Sequence, residues 1–289
     1  MRRRLWSTTD EKDFFNKGLK GGFATKSDLF YHFNNEYFSY ISKNQENDGQ
    51  TLQSRNSLIG NYTETWCMNL LQPIAKRFNY YAIKGAVCPK IGLSKRSAAD
   101  IAICTVNSIN QEPLNIKLII EVKMSIVNNY KMQSDNKLRY IGDYKSHKGN
   151  PSLLRSDSML KAIGKAINIR VSGSASTKIP IIVIGNSPIT LSYIHKVDFL
   201  KSAGVVQGFY SIYPNPTNSN HIQVSEKRGF ETIDNLNYFE QILSQIINTP
   251  FNYFSSMKSQ QKLGEIISIA AQETTNLAKA DKFLKLIRE

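Results

Sequence analysis

Two carboxylates and an ammonium mark the chemically richest stretch of this 289-residue chain, SAADIAICTVNSINQEPLNIKLIIEVK at positions 97–123. Asp100 stands near the start of one short apolar segment, 98–105, and Glu121 and Lys123 stand at the end of a second, 116–123. Carboxylate oxygens are the ligands of a hard divalent cation such as Mg2+. A lysine beside them can orient or deprotonate a water next to that ion. Alternatively, an acid and a lysine two apart on a solvated strand make a surface salt bridge and nothing more.

The elements that must position these groups form a β-hairpin. Both segments are short and rich in isoleucine and valine, and a polar connection with Asn107, Asn110 and Pro113 separates them. Side chains on a strand alternate faces, so Glu121 and Lys123 point the same way, about 7 Å apart. Leu118, Ile120 and Val122 point the other way. On the first strand Ile101 and Ile103 share one face, and Asp100 takes the other with Ala98 and Ala102, whose small side chains leave room beside the acid. In register, the hairpin brings Asp100, Glu121 and Lys123 to one patch.

Ala99-Asp100 followed by Glu121-Val122-Lys123 resembles the signature of the PD-(D/E)XK nuclease superfamily, best known from type II restriction endonucleases; alanine stands where the signature has proline, a position that carries no ligand. The resemblance implies an α/β (α+β) fold: a helix, a three-strand meander, a second helix and a further strand, giving a central mixed β-sheet flanked by helices. It also implies Mg2+ held by Asp100, Glu121 and the Val122 carbonyl, with Lys123 orienting the attacking water. Glu64, in line with Cys67, Leu71, Ile74 and Phe78 beside an apolar helical stripe, corresponds to a glutamate that the first core helix of this family often places near the metal. Its alternative is a surface salt bridge.

Composition agrees with a polyanionic partner. Lys and Arg number 37 against 23 Asp and Glu, a net charge of +14, which favours nucleic acid or an anionic surface. No apolar run has the length to span a bilayer, and the basic start Met1-Arg2-Arg3-Arg4 lacks the apolar stretch of a secretory signal. Cys67, Cys88 and Cys104 lie far apart in a pattern that fits neither a disulfide framework nor a zinc site, and a cytoplasmic protein is expected.

Around the hairpin, residues 28–41 carry Phe30, Phe33, Tyr37 and Ile41 at helical spacing, and 42–56 read as a polar loop. Residues 57–78 form the best early helix, with a kink or break expected near Pro73. Residues 80–89 read as the meander's first strand. The basic turn 90–96 is expected to bring Lys90, Lys95 and Arg96 to the patch for phosphate contact. Residues 124–155 lack a sustained period and read as a long functional loop that lies along DNA, with Lys145 and Lys148 on phosphates and His147 an ordinary surface histidine. Residues 156–170 predict a helix capped by Ser156, with Met159, Ile163, Ala166 and Ile167 buried and Lys161, Lys165 and Arg170 exposed. Residues 179–184 predict a buried central strand, 190–203 a helix, 205–213 and 221–226 strands separated by a loop at 214–220, 233–248 a helix, and 259–289 an amphipathic helical tail.

The expected organisation is an aromatic and basic segment at 1–56, a nuclease core at 57–250 and a helical C-terminal extension at 251–289. The expected function is a Mg2+-dependent type II restriction endonuclease acting on double-stranded DNA. A repair or junction-resolving nuclease of the same superfamily and a non-catalytic DNA-binding protein are the alternatives. Palindromic targets call for a homodimer, through the aromatic stripe at 30–41 or, better, the tail at 263–287.

Overall fold

The computed structural model describes residues 4–44, 52–213, 223–253 and 258–288. Residues 1–3, residues 45–51 of the polar stretch 42–56, the loop expected at 214–220 and the start of the strand expected at 221–226 lie outside them. Helix α1 (Thr8–Lys20) buries Phe14 and Phe15, and the short α2 (Lys26–Leu29) starts in a capping box of Thr25 and Asp28.

The helix expected over 28–41 is instead a hairpin of β1 (Tyr31–Phe33) and β2 (Glu36–Phe38). Asn34 and Asn35 sit at φ 47° and 57°. Asparagine tolerates this left-handed region, and a two-residue turn with both φ positive matches the twist of paired strands. Of the expected stripe, Phe30 and Ile41 are buried in the chain's own core, and Phe33 and Tyr37 are half-buried.

Helix α3 (Gln53–Lys76) starts four residues before the expected position and runs past Pro73, in its last turn, without the expected break. The meander follows as β3 (Tyr81–Ala86), β4 (Ala99–Cys104) and β5 (Ile116–Lys123), all antiparallel, with Ile101 opposite Ile120. Residues 124–155 are not a long loop. They hold β6 (Asn129–Met132) and β7 (Leu138–Gly142), which join β1 and β2 in a four-stranded sheet of order β1-β2-β6-β7. A register shift at Asn129/Tyr130 breaks the alternation that would have disclosed them.

Then come α4 (Ser156–Val171), β8 (Ile181–Gly185), α5 (Ile194–Ser202), β9 (Gly208–Ser211), β10 (Phe230–Thr232), α6 (Leu236–Asn248), α7 (Gln260–Ala270) and α8 (Asn276–Arg288). Arg155 occupies the N-cap of α4, and Ser156 is its first helical residue. Of the strand expected at 221–226, the described residues supply only an isolated bridge from Val224 to Glu231. Arg170, expected on the surface, is buried and donates to the carbonyls of Ser176 and Ile179 at 2.9 and 2.7 Å. Ile167, expected in the core, is exposed, and Ile163 is half-buried.

The larger sheet has six strands in the order β10-β9-β8-β5-β4-β3, antiparallel over the meander and parallel from β5 to β10. Helices cover both faces. Ile101, Ile103, Leu118, Ile120 and Ile184 pack on α3 and α6 through Leu71 and Phe239. Ala102, Ile119 and Val183 pack on α4 and α5 through Met159, Ala166 and Val197. Cys67, Cys88 and Cys104 are free thiols, all buried. The chain's two tryptophans, Trp6 and Trp66, meet edge to face at 5.2 Å where the amino end packs on α3.

One buried acid ties the amino end to the chain beyond β5. The Glu11 carboxylate accepts from the N–H groups of Val127 and Asn128 (2.7 and 3.3 Å), the Asn128 side-chain amide (2.8 Å) and the Tyr130 hydroxyl (2.7 Å). Burial outweighs these donors and pushes its pKa up to about 7 from 4.5. A folded value above the unfolded one means that the Glu11 contribution to stability is full below pH about 4.5 and is lost as pH rises through about 7. Glu11→Gln should therefore flatten the fall in urea-unfolding free energy across that interval. It should also cost about 1–3 kcal/mol at the acid end, where its NH2 group faces a donor. A slope equal to wild type's would refute the assignment.

Candidate active site

The hairpin register brings Asp100, Glu121 and Lys123 together. The β4–β5 ladder ends at the Ile101–Ile120 pair, and beyond it Oδ2 of Asp100 accepts the Val122 N–H at 2.8 Å. The acid's side chain thus takes the place of a backbone partner and is fixed by doing so. β5 continues against β8, with Lys123 opposite Gly185. A Cβ on Gly185 would lie 2.4 Å from Leu153 and 2.9 Å from Ser152 Oγ, so glycine there lets 152–153 close over the strand ends.

Lys123 Nζ hydrogen-bonds Oε1 of Glu121 and lies 3.5 Å from Oδ2 of Asp100. The remaining oxygen of each acid faces a residue expected on the surface. Lys165 of α4 donates to Oδ1 of Asp100 at 2.9 Å and approaches Oε2 of Glu121 at 2.6 Å. Oε2 of Glu121 is buried, and the Lys165 ammonium is the cation that meets it. The side chains of Glu121, Asp100 and Lys165 are only 7%, 14% and 17% exposed.

A signal for Lys165 was present in the helix period. Ser158, Ala162, Lys165 and Ile169 are spaced four, three and four apart and lie along one line of α4. Ala162 and Ile169 on that line are buried, and Ser158 lines the cleft described below.

The four charges shape one another. Burial opposes the Asp100 charge, but Lys123, Lys165 and the Val122 N–H outweigh it and hold its carboxyl below the ordinary value. Burial and the Asp100 charge together raise Glu121, against Lys123 and Lys165. Burial disfavours the Lys165 ammonium, yet Glu121 and Asp100 raise its pKa above normal. Two like charges side by side are pushed apart in their proton affinities, and two ammoniums bring the cluster to neutrality.

Asp100 and Lys123 of the cluster line a cleft of about 510 Å3, with Glu64, Val122, Ser152 and Arg155 among its other walls. Glu64 reaches it from α3 and pairs with Lys84 of β3 at 3.3 Å; burial and the nearby Asp100 charge raise its pKa. Lys95 and Arg96 are exposed in the turn just before β4. Lys145 and Lys148 are exposed after β7, and Gly149, next to Lys148, lines the cleft.

Two expectations fail here. Lys90 does not approach the patch: it pairs with Glu112 at 2.6 Å, beside the turn that feeds the opposite end of β5. His147 is not a surface residue. It is buried, stacked on Tyr40 at 3.9 Å, with Nε2 3.0 Å from the Val127 carbonyl and Nδ1 accepting the Gly149 N–H. Burial lowers its pKa to about 4, so it is neutral at pH 7 and braces the cleft wall.

The donor set suits a hard cation. Two carboxylates each place one oxygen within 3 Å of a single point, the Lys165 nitrogen. Among the described residues no group of three or more His, Cys, Asp or Glu is gathered as a ready-made cage. Any ion here therefore depends on the two acids, carbonyl oxygens and water. Compared with protein-family models, curated proteins and solved structures, the chain matches none.

Ser152 holds the end of β5. Its backbone sits at φ 52°, and its hydroxyl donates to the Lys123 carbonyl at 2.5 Å while accepting the Asn186 N–H at 2.9 Å. Ser152→Ala leaves both buried groups unpaired and should lower the unfolding free energy by about 2 kcal/mol in urea titration. A loss under about 0.5 kcal/mol, the range of ordinary surface changes, would show that the clamp is dispensable.

Proposed function

We propose that this chain is a Mg2+-dependent endonuclease acting on duplex DNA, in its narrower form a site-specific enzyme of the type II restriction kind. The observation that carries the reading is the convergence of Asp100, Glu121 and Lys123 at strand ends that open into a cleft. The succession of α3, the β3–β5 meander, α4 and β8 supports it, because that order is the one the PD-(D/E)XK resemblance implies. The +14 charge supports a polyanionic substrate.

Asp100 and Glu121, with the Val122 carbonyl, would hold the ion, and Glu64 stands on the cleft wall as a further carboxylate. A divalent ion so held supplies Lewis acidity toward the scissile phosphate and the attacking water. Lys123 orients that water and steadies the charge that develops on phosphorus. The exposed Lys95, Arg96, Lys145 and Lys148 contact backbone phosphates, which position the duplex and carry no sequence information.

Asp100→Ala and Glu121→Ala should each abolish plasmid cleavage, by at least about 1,000-fold, while DNA binding persists in Ca2+ and weakens with salt less steeply once Lys145 and Lys148 are neutralised. Turnover retained by either acid variant would sink the site. Binding that a chelator leaves untouched in a wild-type chain that never cuts would make the protein a non-catalytic binder. Cutting confined to branched DNA would move it to a junction-resolving role.

One patch per chain cuts one strand, so a double-strand break calls for a homodimer. Exposed Ile267, Ile269 and Leu277 on α7 and α8 offer apolar surface for it. Sedimentation should show mass doubling on target DNA and its loss when the chain ends near Ser259. A monomer that cuts both strands would refute the dimer.

A further inference from the structure

We propose that Lys165 is a resident counter-ion: it occupies the place between Asp100 and Glu121 that the divalent cation takes, and the cation binds by displacing it toward the cleft. This inference rests on the nuclease reading and adds a regulatory step to its metal site.

The division of oxygens carries it. Lys123, on the same strand as Glu121, faces Oε1 of Glu121 and Oδ2 of Asp100. Lys165, from a helix 44 positions later in the chain, faces the other two oxygens, Oε2 and Oδ1. Its nitrogen lies 2.6 and 2.9 Å from them, near the 2.3–2.6 Å of a Ca2+–oxygen bond, so ammonium and ion compete for one position.

Charge points the same way. Two carboxylates and two ammoniums already balance, and a divalent ion added to an intact cluster would leave an uncompensated double charge in a largely buried site. Removal of one ammonium relieves that excess, and Lys165 is the one that stands between Oδ1 of Asp100 and Oε2 of Glu121, where the ion would sit. Lys123 is also tied to its own strand through the Val122 carbonyl, whereas the partners of Lys165 are the two carboxylates themselves. Its four-carbon stem lets it swing without moving α4, whose line of Ser158, Ala162 and Ile169 stays packed. The displaced ammonium is then free to meet a phosphate oxygen, so that metal entry and substrate neutralisation are linked.

The test compares Ca2+ binding by calorimetry in the wild type and in Lys165→Met, which keeps the stem and drops the charge. Lys165→Gln serves if the methionine variant does not fold. The variant should bind Ca2+ at least about tenfold more tightly. It should melt below the wild type in chelator, with the gap closing in saturating Ca2+. In the wild type, Lys165 should acetylate slowly in chelator and quickly in Ca2+, read by mass spectrometry. Unchanged or weaker Ca2+ affinity in the variant, or a Lys165 that stays protected in Ca2+, would overturn the counter-ion role and leave the nuclease reading standing. A wild-type chain that binds no divalent cation would overturn both.

Discussion

Two buried carboxylates cannot stand side by side uncompensated, and the centre of this molecule is built around that constraint. Desolvation works against each charge, and their mutual repulsion adds to it. The fold answers with ammoniums from two directions, one on the strand that carries Glu121 and one on the helix that covers that face of the sheet. Asp100 gains a further donor from the backbone of its neighbouring strand, and this explains why its charge is favoured while that of Glu121 is not. The arrangement stabilises the site only as a set: removal of any one member leaves a charge in a place water barely reaches.

Much of that site was legible in the sequence because it rests on a local rule. Strand alternation sets which way Asp100, Glu121 and Lys123 point, and a hairpin needs only its own residues to bring two strands into register. Lys165 was misplaced on the surface because its partners come from strands whose position relative to α4 no local pattern states. Its four-three-four line with Ser158, Ala162 and Ile169 told which face it shares, but not that acids lay opposite. Arg170 failed for a related reason: the carbonyls that satisfy it belong to the turn after its helix.

The smaller sheet was illegible for a different physical reason. Its strands are three to five residues long, too short for a period to register. Its central pairing, Phe38 with Lys131, joins segments more than ninety residues apart. Beside an apolar cluster of Phe14, Phe15, Phe30, Tyr130 and Met132, buried polar bonds hold it: Glu11 on 127–130, Arg55 on the carbonyls of Leu29 and Ser39, His147 on Val127. Such groups read as surface in a sequence, since burial of charge is rare unless every partner is supplied. The same contacts make one wall of the cleft, so the amino-terminal hairpin belongs to the site's architecture although none of its residues is proposed to carry chemistry.

The edge-to-face packing of Trp6 on Trp66 has an optical consequence. Both indoles of the chain sit at the junction where the amino end meets α3, and the six-stranded sheet contains neither. Intrinsic emission excited at the red edge therefore monitors that one seam. Loss of the amino end with the sheet intact would expose Trp6 and strip Trp66 of its Asp10 partner, a change this signal reports and backbone circular dichroism barely registers.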